Sequence, residues 1–437
     1  MIDKKVAESI LHTLEGGMVP ENGLPYIAVG RKEEVEVITR DMDRIAQGYS
    51  TFRLLEGAYG TGKSFMAQLI KNEALLREFL VMDCELAAER KPCGSKKEGL
   101  ETYRVLMSRL SSRSHPNGNA LEHVLEKYIE KLTAIEEGQG GGDTERDWPV
   151  QVKKEIQQMP HGYDFYEALT AYVEACRKGD PDRKDNLLRW FRGEYANKTA
   201  SRKACGIPVV IEDENWFSYL KIWAVFFKEI GYTGLYVILD ELTQITRNIV
   251  NSTTREHNFE RLLSMYNDCY GKVARSMGII LCGIPSSIHD SRRGIFSYEA
   301  LKSRLDVSSL QGDEILGTPI IKLSMLTPEE FAVLLERVES LHAMLHGKEF
   351  YFTEEERIQF VDYEYRRIGA VNHLTPREFL RDFLTILTLK AEKRQEDTME
   401  DFLYKGTGLE TTPSMIGQED LDDLEEEETL KYEGFTL

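Results

Sequence analysis

The chain has 437 residues, 41% of them hydrophobic and 30% charged, with a formal net charge of −19. That length supports a large core and more than one domain, and no apolar run reaches the roughly 18 residues that span a bilayer, so no membrane association is expected. The charge is lopsided: residues 396–437 hold 14 acidic and 2 basic side chains, a net of −12 that leaves −7 for the rest, which gives no general support for nucleic-acid binding yet allows a local basic face.

The opening "MIDKKVAESILHTLEGG" reads as a short amphipathic helix without the apolar stretch of a secretion signal. Six scattered cysteines (Cys84, Cys93, Cys176, Cys205, Cys269, Cys282) form no CxxC pair and no zinc spacing. Free thiols in a reducing cytoplasm are the expectation. "VPENGLPYIAVGRKEE" is punctuated by Pro and Gly as a loop. "TFRLLEG" then reads as a strand, "SFMAQLIKNEALLREF" as a helix with apolar positions at helical spacing, and "LVMDCEL" as a second strand. From about 87 to 208 the pattern is mostly helical, broken by the glycine-rich "EEGQGGGDTERDW", which is expected to be mobile. Strands resume at "GLYVILDE" and "MGIILCGIP", with the helical "HNFERLLSMYNDCYGKVAR" between them and "TPIIKLSML" as a fifth strand. "TPEEFAVLLERVESLHAMLHG" and "TEEERIQFVDYEYRRIGA" open like capped helices, Thr before acidic first-turn residues, and "TPREFLRDFLTILTLKAEKR" reads as a further helix. The tail, with eight acidic side chains in 419–428, is too charged to pack and is expected to be disordered. Strands alternating with helices predict an α/β fold with a mostly parallel sheet covered on both faces, followed by an all-helical unit.

Five stretches carry chemistry. "GAYGTGKS" fits G-x-x-x-x-G-K-[ST] at Gly57, Gly62, Lys63 and Ser64. Its glycines let main-chain N–H groups wrap phosphate oxygens at a helix N-terminus, which makes Gly57, Ala58, Tyr59, Gly60, Thr61, Gly62, Lys63, Ser64 and Phe65 the candidate ATP contacts. Lys63 is expected on the β- and γ-phosphates and Ser64 on Mg²⁺. "GLYVILDEL" ends a buried strand in Asp240, a second Mg²⁺ candidate, and Glu241, a candidate base for the attacking water. The acidic pair favours hydrolysis over transfer to a metabolite. After the next strand, Ser286 is the choice for holding that water, with Ser287 and Cys282 as rivals and an ordinary loop start as the plain alternative. Arg304, at the end of "YEALKSRLD", is placed to reach a neighbouring subunit's γ-phosphate, or is simply an exposed helix terminus. Arg377 opens a helix, where positive charge is locally unfavourable, so it serves a bound triphosphate or a surface ion pair.

In this order the features resemble AAA+ ATPases, especially the origin-recognition-like branch. "VGRKEEVEVI", with Val29 and Arg31, resembles the nucleotide-base loop and the helix before the P-loop. Gly57–Ser64 resembles Walker A, Asp240–Glu241 Walker B, Ser286 a sensor 1, Arg304 an arginine finger and Arg377 a sensor 2 in a helical lid. More narrowly, "LLEGAYGTGKSFM", "ILDEL", "YEALKSRL" and "LTPREFL" are similar to the BREX-system ATP-binding proteins, the BrxD-like group found in anti-phage defence clusters. The resemblance implies an AAA+ P-loop NTPase: a parallel five-stranded sheet, a large helical insertion and a C-terminal helical lid. The segments expected are 1–50 (N-terminal helices and base loop), 51–326 (core, with the insertion at about 87–208), 327–404 (lid) and 405–437 (acidic tail). Two departures stand out. The sensor 1 strand ends in "GIPSS" without the usual Asn or Thr, and well over a hundred residues separate the second strand from Asp240.

The expected protein is a cytoplasmic, homo-oligomeric ATPase acting on DNA or on a DNA-processing partner such as a helicase. The alternative is a slow nucleotide switch that recruits a helicase or nuclease without holding DNA. A small-molecule kinase is disfavoured by the length, the Asp-Glu pair and the lid.

Overall fold

A computed structural model describes residues 2–137, 148–306, 318–367 and 375–404. The glycine-rich stretch within 138–147, expected to be mobile, and the acidic tail, expected to be disordered, lie outside the described residues.

All five expected strands form: β1 Ser50–Glu56, β2 Leu80–Glu85, β3 Leu235–Asp240, β4 Met277–Gly283 and β5 Ile320–Lys322. They make one sheet in the order β2-β3-β4-β1-β5, and every pairing is parallel. The α/β class follows, and with it the P-loop NTPase type of fold. Successive side chains of a strand point to opposite faces, and the core is divided accordingly. Leu54, Met82, Val237 and Leu281 join one cluster, while Leu55, Val81, Ile238 and Ile280 join the other. The second cluster is covered by α2 (Lys32–Ala46) and α3 (Lys63–Leu76). Within it Arg53, on β1, is buried against Asp41 of α2 through a two-pronged ion pair, Nε to Oδ2 at 2.6 Å and Nη2 to Oδ1 at 2.8 Å.

The other face carries the insertion. Between β2 and β3 run α4 (Glu98–Ser108), α5 (Leu121–Glu136), α6 (Trp148–Gln157), α7 (Gly162–Lys178), α8 (Pro181–Phe191), α9 (Lys198–Cys205) and α10 (Trp216–Glu229). Its core is continuous with that face of the sheet rather than separate from it. All four tryptophans of the chain are here, and their indole N–H groups find acceptors, for example Trp216 on the Pro92 carbonyl at 3.0 Å and Trp223 on the Tyr103 hydroxyl at 3.1 Å. Asp213 staples the loop after β2: its carboxylate accepts from the amides of Gly94, Gly99 and Leu100. It thereby supplies the N-terminal cap that Lys97 cannot give α4.

After β3 come the short α11 (Thr243–Thr246), α12 (Ser252–Tyr270), then, beyond β4, α13 (Pro285–His289) and α14 (Glu299–Leu305). The last helices are α15 (Pro328–Leu345), α16 (Glu354–Arg367), α17 (Pro376–Glu392) and α18 (Met399–Tyr404). The two caps read from sequence are present: Thr327 and Glu330 close a full capping box, and Thr353 accepts from the amide of Glu356; Thr375 caps α17 in the same way, accepting from Glu378.

By compactness the chain divides into two units, Gly30–Met325 and the described parts of Met1–Val29 with Leu326–Leu437. The N-terminal helix α1 (Lys4–Glu15) buries Ala7, Ile10, Leu11 and Leu14 and packs on α15 and α17. The described residues up to Val29 group with the C-terminal helices and those from Gly30 with the sheet: the apolar stripe of α1 is matched by α15 and α17, whereas α2 is matched by the sheet.

Candidate functional site

In a parallel sheet the loops after β1, β3 and β4 leave from one edge. β4 lies between β1 and β3, so the axes of those two strands are about 10 Å apart. The end of β4 ties both flanking loops down. Gly57 donates its amide to the Gly283 carbonyl at 3.1 Å, and Leu242 donates to the Cys282 carbonyl at 3.0 Å. Cys282 itself is fully buried, and burial pushes its thiol well above the usual range.

The glycine-rich loop from Gly57 to Gly62 depends on lacking side chains. A Cβ at Gly57 would stand 2.2 Å from Thr61 Oγ1 and 3.2 Å from Lys63 Cγ, so only glycine fits the cup. Gly62 adopts φ +89°, in the left-handed region open to glycine, and hands the chain into α3. Thr61 Oγ1 donates to the Ala58 carbonyl at 2.9 Å. Lys63 folds back into the cup, donating to the carbonyls of Gly57 at 2.7 Å and Ala58 at 3.0 Å, with the exposed Tyr59 ring 5.3 Å from its Nζ. Burial lowers the pKa of Lys63; Asp240, Glu241 and Cys282 oppose the shift. Ser64 and Phe65 follow on the first turn of α3, Ser64 exposed and Phe65 half-buried.

Asp240 and Glu241 sit at the end of β3. Burial raises the Asp240 pKa, against the Glu241 amide, which donates to Oδ1 at 2.8 Å, and the Lys63 charge. Glu241 is raised by burial first and by the Asp240 charge second. Its backbone is also unusual, with φ +68° on a residue that carries a Cβ, a conformation that costs on the order of 1 kcal/mol and is kept where the position of the side chain matters.

The raised Asp240 pKa has a stability consequence with a definite sign. A carboxyl that binds its proton more tightly folded than unfolded costs nothing in acid and destabilises the fold as pH rises through the ordinary to the raised value. Asp240→Asn keeps the acceptor and removes the charge. In buffer free of nucleotide and metal it is expected to melt a few degrees above the parent at neutral pH. Thermal unfolding across pH checks this, and the gap should close in acid.

Ser286 and its two rivals, Ser287 and Cys282, differ in surroundings. Ser287 is buried and hydrogen-bonded to Thr246 at 3.1 Å, and Cys282 is sealed below the loop. Ser286, on the first turn of α13, is half-exposed. An unforeseen pair lies beside it: His289 Nε2 is 2.9 Å from Glu56 Oε2, joining the end of α13 to the last residue of β1.

Arg304, Val29, Arg377 and Arg31 have other surroundings. Arg304 is exposed on α14 and bound to its own surroundings, Nη1 to the Ala300 carbonyl at 2.7 Å and Nε to Asn267 Oδ1 at 3.1 Å. Val29 and Arg377 belong to the unit formed with the C-terminal helices. There the exposed Arg377 side chain runs along Gly17, where a Cβ would come within 3.0 Å of Arg377 Cγ. Arg31, by contrast, is in the sheet-containing unit and bonded to the glycine-rich loop itself: Nη2 donates to the Thr61 carbonyl at 2.7 Å. Its type and place in "VGRKEE" singled it out in sequence; its partner did not, because thirty residues separate the two.

Among the described residues no helix is long and apolar enough to cross a membrane. No curated protein matches the chain. Over residues 2–405 it matches the family model described as BREX system ATP-binding protein BrxC/D, and the chain belongs to that family. ATP binding within a BREX phage-defence system is thereby its coarse assignment.

Proposed function

We propose that this BREX-family chain hydrolyses ATP with Mg²⁺, works as an AAA+ homo-oligomer in the cytoplasm, and couples turnover to DNA or to a DNA-processing partner such as a helicase. The observation that supports it is the convergence, at one edge of a parallel sheet, of a cup that only glycine can form, a lysine folded into it, and two carboxylates that hold protons more tightly than usual.

ATP supplies the phosphoanhydride bond. The main-chain N–H groups of the loop beyond Gly57, whose own amide is taken by the Gly283 carbonyl, would surround its phosphates, and Lys63 would exchange the Gly57 and Ala58 carbonyls for phosphate oxygens. Among the described residues no group of three or more His, Cys, Asp or Glu side chains could hold a metal alone. That fits Mg²⁺, which takes one or two protein donors and completes its shell with phosphate and water; Asp240 and Ser64 are the donors at hand. Glu241 would take the proton of the attacking water, oriented with help from Ser286. Arg304 would act on a neighbouring subunit's nucleotide: its present acceptors are neutral and exposed, so letting go of them costs little.

The test combines mass with activity. A complex whose mass grows with an ATP analogue and DNA is expected. Arg304→Ala is expected to bind ATP normally, hydrolyse it at least about tenfold more slowly, and regain activity when mixed with Lys63→Ala protein. A persistent monomer in which Arg304→Ala hydrolyses ATP like the parent would refute the oligomeric motor and leave the nucleotide switch.

A further inference from the structure

Arg31 is 6% exposed, and its guanidinium is directed at the main chain. Nη2 donates both to the Thr61 carbonyl at 2.7 Å and to the Ser324 carbonyl, just beyond β5, at 2.8 Å. Nη1 lies 3.4 Å from the Gly30 carbonyl and from Glu34 Oε1. A guanidinium is thus held inside the fold with main-chain oxygens as its nearest partners.

Thr61 sits between Gly60, at φ +81°, and Gly62, at φ +89°. Glycines on both sides offer little steric resistance to rotation, so local sequence alone does not prevent the Thr61–Gly62 peptide from turning over. That peptide is trans, and in a trans peptide the C=O and N–H point in opposite directions. Holding the Thr61 oxygen against Arg31 therefore fixes the Gly62 N–H on the opposite side of the loop. Gly62 is the N-cap of α3, whose leading amides have no intrahelical acceptor and favour an anion.

We propose that Arg31 is a positioning residue for phosphate binding: it locks the Thr61–Gly62 peptide with its N–H toward the phosphates, and it does not read the base. The inference rests on the nucleotide site proposed above and replaces the base contact that "VGRKEE" suggested. A side chain this buried, with both Nη2 protons on carbonyls, offers little surface to a base. The bond to Ser324 sets the guanidinium from a second direction, so the loop is referred to the end of β5 as well as to α2.

The experiment is competition against a bound fluorescent ATP analogue by ATP, GTP and inorganic triphosphate, using full-length Arg31→Ala and Arg31→Lys. A locked peptide predicts a loss of about 10- to 100-fold, the same for all three competitors because all share the phosphates. It also predicts that guanidinium ion, at non-denaturing concentration, restores part of the affinity of Arg31→Ala. Should Arg31→Ala fail to fold, Arg31→Lys carries the test, since its single ammonium cannot reproduce the forked contacts. A loss confined to ATP, with triphosphate unaffected, would return Arg31 to the base. Unchanged affinity for all three overturns the inference, as does a uniform loss that guanidinium leaves untouched and that follows the melting temperature. Lys63→Ala, titrated alongside, keeps the two readings apart. If it binds like the parent the nucleotide site is wrong, and if it fails while both Arg31 variants bind normally only the peptide lock is.

Discussion

Lys63→Ala is expected to weaken ATP binding by about 100-fold or more, the largest affinity change any single substitution should produce here. The ammonium is half-buried in a cup of main-chain atoms, bonded to the carbonyls of Gly57 and Ala58. Each charge-assisted hydrogen bond it would make to a phosphate is worth about 1.5–3 kcal/mol, so losing two amounts to roughly two orders of magnitude or more. Removing it also frees two carbonyl oxygens that line the cup and repel the phosphates. The fold should tolerate the change, because the Gly57 amide stays bonded to the Gly283 carbonyl and the Thr61 hydroxyl to the Ala58 carbonyl without the lysine. Titration with a fluorescent nucleotide reads the effect; parent-like affinity would mean that the glycine-rich loop is not the site.

Glu241→Gln should leave ATP affinity near that of the parent and slow hydrolysis by about 10²- to 10⁴-fold, since an amide can align water but cannot accept its proton. The pH profile adds a second readout. Only the ionised carboxylate is a base, and burial together with Asp240 raises the pKa of Glu241. Parent activity should therefore fall, on acidification, at a higher pH than an ordinary carboxylate would give. The Gln variant should lose that limb and show a flat residual rate. Phosphate release across pH measures both; parent-like turnover by the variant removes Glu241 as the base. The left-handed φ at this position makes Gln the proper replacement, because it preserves the backbone demand and the side-chain volume while changing only the chemistry.

What the sequence by itself determined were features carried by contiguous residues. The five strands follow from short apolar runs, the helix caps at Thr327 and Thr353 from neighbouring side chains, and the cup from glycine spacing around Lys63. In each case the deciding interaction spans a few residues, so the pattern is written where it acts. Only the tertiary structure decided the strand order, which inserts β4 between the glycine-rich loop and Asp240, and the union of α1 with α15 and α17. It alone turned Ser287 inward onto Thr246, joined Glu56 to His289, and brought Arg31 to Thr61 and Ser324. The physical reason is common to all of them. A buried polar group needs a partner, but hydrogen-bond chemistry does not state which carbonyl, thirty or three hundred residues away, will be that partner. The answer depends on which apolar faces pack together first, and those faces become neighbours only in the folded chain.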